Sequence, residues 1–221
     1  MHQLSRFAAA IVLISNATIV LAAPHSAAPA KRSFSNNGAA YQSAGANPGR
    51  VTDAQAANAI LANTLNDLFS GCDKHFDHGE YNHVINMSRV VVQGDPHNVE
   101  AYSNAAWLLW STDRTASGLS FLKQGLAANK NNFYMYDELG QFYWLHLHKP
   151  ALALPYYEQA VKYPCPMLTW HGLAHCYELT GHLRKSEAAW AHASKIKGDL
   201  IAVVQLKRIR ALIAHKGSKH I

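Results

Sequence analysis

The chain has 221 residues, enough for one modest domain or one short solenoid, and 49% of them are hydrophobic whereas only 15% are charged. Lys and Arg exceed Asp and Glu by 6, a balance that often accompanies nucleic acid or an anionic surface. The sequence contains no phosphate-binding loop, no G-x-S-x-G and no H-E-x-x-H, so we expect no enzyme and no cofactor.

Residues 1–30 are typical of an export signal. Arg6 gives a short basic start, residues 7–21 form an apolar run, and small residues follow. We expect cleavage between Ala22 and Ala30, which predicts a periplasmic or secreted protein. A retained anchor helix is the alternative, but the apolar run is shorter than the ~20 residues that a membrane span needs. We therefore expect no stable membrane span once the signal is removed.

Residues 31–50 are rich in Ala, Ser, Asn and Gly and show no apolar period, so they are predicted to form a flexible linker. Thr52 and Gln55 have the spacing of a capping box, in which each side chain satisfies a backbone group of the other at a helix start. Apolar residues follow at three- and four-residue steps, which predicts a helix to about Asp77, and Gly79 breaks it.

Eight further helices are predicted from apolar periodicity and from Gly and Pro breaks. Pro150 suits the first turn of one of them, because an N–H at that position would have no helical partner. The predicted ranges are residues 81–92, 99–111, 115–128, 133–147, 150–163, 167–179, 183–196 and 200–215. Residues 201–221 should form a capping helix with a basic tail, and the cap buries a stripe of Leu206, Ile209 and Ile213. A basic membrane-binding helix is the alternative for this segment.

Residues 65–200 repeat every 34 residues with no net insertion or deletion. The four blocks are residues 65–98, 99–132, 133–166 and 167–200. The side chains at place 4 are large: Leu68, Tyr102, Tyr136 and Trp170. The side chains at place 11 are His75, Leu109, Tyr143 and Tyr177. Places 20 and 27 are mostly small, as a close approach of two helices requires.

This layout resembles the tetratricopeptide repeat (TPR), a helix–turn–helix unit of the same length. The first block departs most from the family pattern, with His75 where Tyr is usual. The second-helix residues of the third block come one place late, as if the turn between its helices holds one extra residue. Those residues are Ala153, Tyr157 and Ala160. The resemblance implies an all-α, right-handed superhelical solenoid of four repeats within residues 51–200, closed by the capping helix.

In TPR proteins the first helix of each repeat lines a concave groove, with places 2, 5, 9, 12 and 13 facing it. In this chain these places hold five carboxylates and no Lys or Arg. Place 13 of the third block, which should also face the groove, is Leu145. Rings recur at place 12 in three successive repeats. The residues predicted to bind a ligand are Phe69, Asp73, Phe76, Asp77, Trp107, Trp110, Tyr134, Asp137, Gln141, Trp144, His171, His175 and Glu178.

An acidic groove with a row of rings suits a cationic peptide with apolar anchors. The predicted function is therefore a protein-interaction module or scaffold, whose partner is a protein or peptide. Two alternatives stay open: part of the ring row packs between adjacent helices, or residues 31–34 (Lys-Arg-Ser-Phe) supply the ligand from the chain itself. We expect no nucleic acid partner, because the basic residues are scattered and export removes the chain from most nucleic acid.

The alternative from another class is a His-dependent metal-binding protein of the cell envelope. His171 and His175 are four residues apart and share one helix face, and Cys72, His75 and His78 form a second set. Neither set has an obvious further ligand nearby, so no metal site is predicted.

The chain has three cysteines, Cys72, Cys165 and Cys176, an odd number that cannot all pair within it. The last two would lie ~12 Å or more apart along a helix axis, too far for a disulfide. All three are therefore predicted to be unpaired thiols, buried or half-buried.

Overall fold

The structure, a computed structural model, describes the backbone of residues 52–218 and the side chains of residues 52–216. All regular secondary structure within this range is helical. The helices are α1 (Asp53–Asp77), α2 (Tyr81–Gly94), α3 (Val99–Ser111), α4 (Thr115–Ala128), α5 (Tyr134–Gln141), α6 (Pro150–Ala160), α7 (Met167–Leu179), α8 (Leu183–Ala193) and α9 (Leu200–Ser218). α5 continues directly into a π-helical turn, Phe142–His146, which we call the π-turn. The predicted export signal (1–30), the predicted linker (31–50) and residues 219–221 of the predicted tail lie outside the described residues.

The helix ends follow the local signals in the sequence. Thr52 Oγ1 accepts a hydrogen bond from the Gln55 backbone N–H at 3.3 Å, and Gln55 Oε1 accepts one from the Thr52 N–H at 2.9 Å, which confirms the capping box. α3, α4 and α7 begin and end at the predicted residues. α6 ends three residues early, at Ala160, because its last turn tightens: the Tyr163 N–H donates to the Ala160 carbonyl at 3.1 Å.

Each helix packs against the next one along the chain, from α1 and α2 through α8 and α9. α3 also contacts α5, and α5 contacts α7, so these first helices of successive repeats are neighbours. A hydrophobic cluster runs through the four repeats and into α9. Each helix pair thus buries its apolar face against the next pair, which is how solenoids gain stability. The described part of the chain is an all-α TPR solenoid, as predicted.

Small residues allow the two helices of a repeat to approach closely. A Cβ on Gly118 would lie 2.7 Å from the Ala106 carbonyl oxygen of α3, and a Cβ on Gly125 would lie 2.7 Å from the Tyr102 ring. The equivalent residues of the other repeats are all fully buried: Val84, Val91, Ala153, Ala160, Ser186 and Ala193. The predicted close approach at places 20 and 27 is therefore confirmed, including the one-place slip in the third repeat.

Three repeats close their first helix in the same way. The backbone N–H at place 16 donates to the carbonyl at place 11, five residues back, as in a Schellman motif. These bonds join Glu80 to His75 (2.9 Å), Arg114 to Leu109 (2.7 Å) and His182 to Tyr177 (2.8 Å). The residue at place 15 has a positive φ in each: Gly79 (75°), Asp113 (62°) and Gly181 (82°).

The third repeat closes its first helix one residue later. His148, at place 16, has the positive φ of 53°, and the Lys149 N–H donates to the Tyr143 carbonyl at 2.8 Å. The π-turn accommodates the additional residue, because the Leu147 N–H reaches five residues back to the Phe142 carbonyl at 3.1 Å. The extra residue thus lies at the end of the first helix, which corrects the prediction that it lies in the turn between the helices.

α9 covers the C-terminal end of the solenoid. Of its predicted apolar stripe, Ile209 is fully buried, and Leu206 and Ile213 pack half-buried against the core, which confirms the stripe. Leu200 and Val204, on the same helix, are 76% and 65% exposed. Among the described residues, no helix combines the length and the apolar character that a membrane crossing needs.

The cysteines are unpaired, as predicted. Cys72 and Cys176 are buried, Cys165 is half-buried, and all three are free thiols. Burial raises the pKa of Cys72 and of Cys176 to about 12. Both thiols are therefore uncharged near neutral pH, which makes them poor metal ligands and poor nucleophiles.

Candidate functional site

The surface predicted to bind a ligand lies on α1, α3, α5 with its π-turn, and α7. We call the side chains at places 2, 9, 12 and 13 of these first helices the groove face. Asp77 is exposed and Phe76 is buried. The other predicted ligand-binding residues on the groove face are half-buried: Asp73, Trp107, Trp110, Tyr134, Gln141, Trp144, His175 and Glu178.

Place 5 lies between repeats rather than on the accessible surface. Phe69 and His171 are only 0% and 1% exposed, so neither can contact a ligand, which corrects the prediction for both. His171 Nε2–H donates to Asp199 Oδ2 at 2.6 Å, and Asp199 Oδ1 accepts from the Ala202 N–H at 2.9 Å in the first turn of α9. His171 thus joins the fourth repeat to the capping helix.

The place-5 residues of the second and third repeats also face the next repeat. Ser103 Oγ–H donates to Glu138 Oε2 of α5 at 2.6 Å. Asp137 Oδ2 accepts from Gln141 Nε2 at 2.6 Å, and the Thr169 hydroxyl of α7 lies beside the same carboxyl. Burial, and then the charge of Glu138, raise the pKa of Asp137 to about 6. We therefore assign Asp137 to the junction of α5 and α7 and leave it out of the groove face.

The π-turn changes which side chain of the third repeat reaches the groove face. His146 lies two residues before His148, the residue with positive φ, and this is the spacing of place 13 in the other repeats. The His146 ring packs on Trp110 of α3 with centroids 4.0 Å apart, whereas Leu145 is 41% exposed. His146 therefore takes the position that the sequence pattern assigned to Leu145.

Rings of neighbouring repeats pack on each other along the groove face. Phe76 of α1 stacks on Trp107 of α3 with centroids 6.2 Å apart, and Trp144 of the π-turn stacks on His175 of α7 at 5.5 Å. The contact between Trp110 and the His146 ring links the second and third repeats. The alternative of rings packed between helices thus holds in part, because each ring at place 12 contacts a ring of the next repeat.

The two ends of the groove face differ in charge. Asp73, Asp77 and Glu100 place three carboxylates on the first two repeats. At the other end, Glu178 is paired with Arg208 of α9, whose Nη1 donates to Oε1 at 2.8 Å and whose Nη2 contacts Oε2. This bidentate pair neutralises Glu178, so a cation from the capping helix reaches a surface whose own positions hold no Lys or Arg.

His171 and His175 do not form the metal site that their spacing allowed. His171 is turned to Asp199, while the His175 ring lies against Trp144 at 5.5 Å and against Trp190 at 4.9 Å. Burial lowers the pKa of His175 to about 4, so this imidazole is uncharged near neutral pH. The pair therefore does not offer two accessible nitrogen ligands on one face.

A different group of metal-ligand side chains lies at the turn between α1 and α2. Three ligand atoms lie within 4.8 Å of one another here, one each from His75, Glu80 and His83. The alternative set of Cys72, His75 and His78, which the spacing allowed, is not formed, because Cys72 is buried in the core. The new group crosses a helix boundary, so helical spacing alone did not predict it.

No protein-family model matches the chain, and no curated protein matches it. Solved structures do share its fold. PilW, described as a widely conserved type IV pilus biogenesis factor, is 18% identical, with a TM-score of 0.55 over 70% of this chain and 72% of that one. The MamA protein is 17% identical, with a TM-score of 0.53 over 68% of this chain and 85% of that one. TTC0263, a thermophilic TPR protein in Thermus thermophilus, is 18% identical, with a TM-score of 0.50 over 71% of this chain and 90% of that one.

These likenesses are too distant to carry a function, and they establish the fold alone. The same fold is indicated by the paired helices, the 34-residue period and the close contacts at places 20 and 27 of this chain. This chain therefore has the fold of a TPR solenoid.

Proposed function

We propose that the chain is an exported, non-catalytic TPR scaffold that binds a cationic segment of another protein on its groove face. The observation that carries this proposal is the combination of carboxylates and rings on the first two repeats. Asp73 and Asp77 lie within one helical turn of Phe76 on α1, and Trp107 and Trp110 continue the surface on α3. Lys and Arg side chains are the groups that both carboxylates and ring faces attract.

The charge difference along the groove face orients the ligand. Glu178 is already paired with Arg208, and His175 is uncharged near neutral pH, so the C-terminal half attracts cations weakly. The cationic residues of the ligand should therefore lie over the first two repeats. Its aromatic or aliphatic anchor should lie over Trp144, which is half-buried and keeps accessible surface.

The π-turn supports a binding role for the middle of the groove face. Such turns interrupt regular helical hydrogen bonding and are frequent at functional sites. Here the π-turn places His146 against Trp110, at the boundary between the acidic and the neutral half. A regular α-helix in the third repeat would present Leu145 there instead.

The direct test is the affinity of the signal-free chain, residues 31–221, for a peptide library that varies in charge and apolar content. We expect the best ligands to combine Lys or Arg with an aromatic or aliphatic residue, and to lose affinity as salt rises. Trp110→Ala should weaken binding by ~1–3 kcal/mol. Trp170→Ala is the matched control, because Trp170 stacks on His192 of α8 at 3.8 Å, away from the groove face.

A second comparison tests the carboxylates of the groove face. Asp77→Asn removes one negative charge from the first repeat and should weaken the binding of a cationic peptide, with a loss that shrinks as salt rises. Acidic best ligands, or equal losses for Trp170→Ala and Trp110→Ala, would contradict the proposed site. The library should include the segment around residues 31–34, since preferential binding of that peptide would identify the linker of the chain itself as the ligand.

A further inference from the structure

We propose that His75, Glu80 and His83 form a binding site for a divalent transition-metal ion of the zinc class, at the turn between α1 and α2. This proposal is independent of the groove face. It rests on three ligand atoms, one from each side chain, that lie within 4.8 Å of one another. Two imidazoles and one carboxylate form a ligand set that suits zinc and similar ions and leaves coordination positions open.

The backbone already holds the three residues in place. The Glu80 N–H donates to the His75 carbonyl at 2.9 Å, and the His83 N–H donates to the Glu80 carbonyl at 2.9 Å. Gly79, with a φ of 75°, supplies the turn between them. Only side-chain rotations therefore separate the present arrangement from a bound one, and no helix has to move.

The required rotations are small. Ligands ~2.0–2.2 Å from a tetrahedral zinc ion lie roughly 3.3 Å from each other. His75 Nδ1 is already in contact with Glu80 Oε2, so these two atoms have to move slightly apart to take up an ion between them. The His83 nitrogen lies within 4.8 Å of both. The His75 and His83 rings now stack with centroids 4.3 Å apart and planes 7° apart. An ion binds in the plane of each imidazole, so one ring must tilt. The side chains of His75 and Glu80 are 29% and 51% exposed, and His83 is exposed, which leaves room for this tilt.

The site is particular to the first repeat. The equivalent residues are Leu109, Arg114 and Ser117 in the second repeat, Tyr143, Lys149 and Leu152 in the third after its one-place slip, and Tyr177, His182 and Lys185 in the fourth. The fold therefore does not require His at place 11, because Tyr fills that place in two repeats. The first repeat departs from the TPR pattern at His75, and this is the repeat in which the three metal-ligand side chains lie together.

The test is titration of the full chain with Zn²⁺ by calorimetry and with Co²⁺ by visible absorption, at pH 7.5. We expect one site stronger than any other. The affinity of this site for Zn²⁺ should fall at least about tenfold when a single ligand is lost. The variants that test this are His83→Gln, Glu80→Gln and His75→Tyr. His75→Tyr restores the residue found in the third and fourth repeats, so this variant should keep the fold, which circular dichroism checks.

The matched control is His182→Gln, which removes the imidazole at place 16 of the fourth repeat, the place that Glu80 occupies in the first. This variant should bind Zn²⁺ like the unaltered chain. Zn²⁺ should also raise the melting temperature of the unaltered chain and of His182→Gln more than that of His83→Gln, because binding to the folded state stabilises it. Equal affinities for the unaltered chain and His83→Gln, or an equal loss in His182→Gln, would overturn the proposal in favour of scattered binding by surface histidines.

Discussion

Arg208 of α9 holds Glu178 of α7 through both of its terminal guanidinium nitrogens, so the capping helix reaches the C-terminal end of the groove face. Lys207, the residue before it, is exposed on the same helix. The cap therefore has two roles in the described structure. It covers the apolar end of the fourth repeat, and it sets the charge of the last groove-face carboxylate.

This ion pair predicts that Arg208→Ala strengthens the binding of a cationic peptide. Glu178 would regain its negative charge towards the ligand, and we expect affinity to rise by about two- to fivefold. The gain should shrink at high salt. Affinity measurements at two salt concentrations check it, with Lys207→Ala as the control that removes the neighbouring exposed cation and leaves the Glu178 pair intact. Weaker binding in Arg208→Ala would show that the basic surface, and not the groove face, holds the ligand.

Asp137 predicts a pH-dependent effect on stability. Its pKa in the folded chain is about 6, above the ordinary value of 3.8. Between these two pH values the folded chain keeps a proton on Asp137 that the unfolded chain has lost. This carboxyl therefore favours the folded state at pH 4 relative to pH 7. Asp137→Asn removes the charge, and it should raise the free energy of unfolding by about 1–3 kcal/mol at pH 7.

The same substitution should change the stability little at pH 4, where the carboxyl of the unaltered chain is protonated. Urea unfolding of both proteins at the two pH values measures the difference. An equal effect of Asp137→Asn at pH 4 and pH 7 would show that the carboxylate is well solvated and not confined between α5 and α7.

The contact between His171 and Asp199 predicts a large loss of stability in Asp199→Ala. The substitution removes the partner of a buried imidazole and the acceptor for the Ala202 N–H at the start of α9. We expect a cost of about 3–5 kcal/mol. Asn98→Ala is the matched control, because it removes only the acceptor for the Ala101 N–H at the start of α3, and should cost ~0.5–2 kcal/mol. Similar losses in the two variants, measured by denaturant unfolding, would show that the His171 contact adds little.

Ala160 tests the one-place slip in the third repeat. Its side chain is fully buried, so Ala160→Leu should overpack the contact between helices and lower stability by about 1–3 kcal/mol. Ala151→Leu makes the same change at an exposed position of the same helix, α6, and should be nearly neutral. The measurement is the denaturation midpoint of both variants. Equal midpoints for the two would place Ala160 outside the helix contact.

The sequence predicted the helices well because its signals are local. Capping residues, Gly breaks and the period of apolar side chains act within one or two turns, and α3, α4 and α7 match the predicted bounds. The groove face was less predictable. The slip of the third repeat showed that a residue had been inserted, but the period alone cannot tell a longer turn from a π-turn, so His146 was missed.

Long-range contacts explain the other differences. The pairing of Arg208 with Glu178 depends on how α9 docks, which no local pattern encodes. The contact of Ser103 with Glu138, between the second and third repeats, was also not predicted. The available signal was the charge of Glu138, because the residues at the same place in the other repeats are uncharged. Those residues are Ser70, Asn104 and Gly172.

The burial of two thiols at opposite ends of the repeat array gives the chain a pair of natural reporters. Cys72 lies in the first repeat and Cys176 in the fourth, and both are inaccessible and uncharged near neutral pH in the closed structure. A thiol reagent can reach either one only when its own part of the array opens. The rates of labelling at the two positions would therefore report separately how often each end of the solenoid unravels.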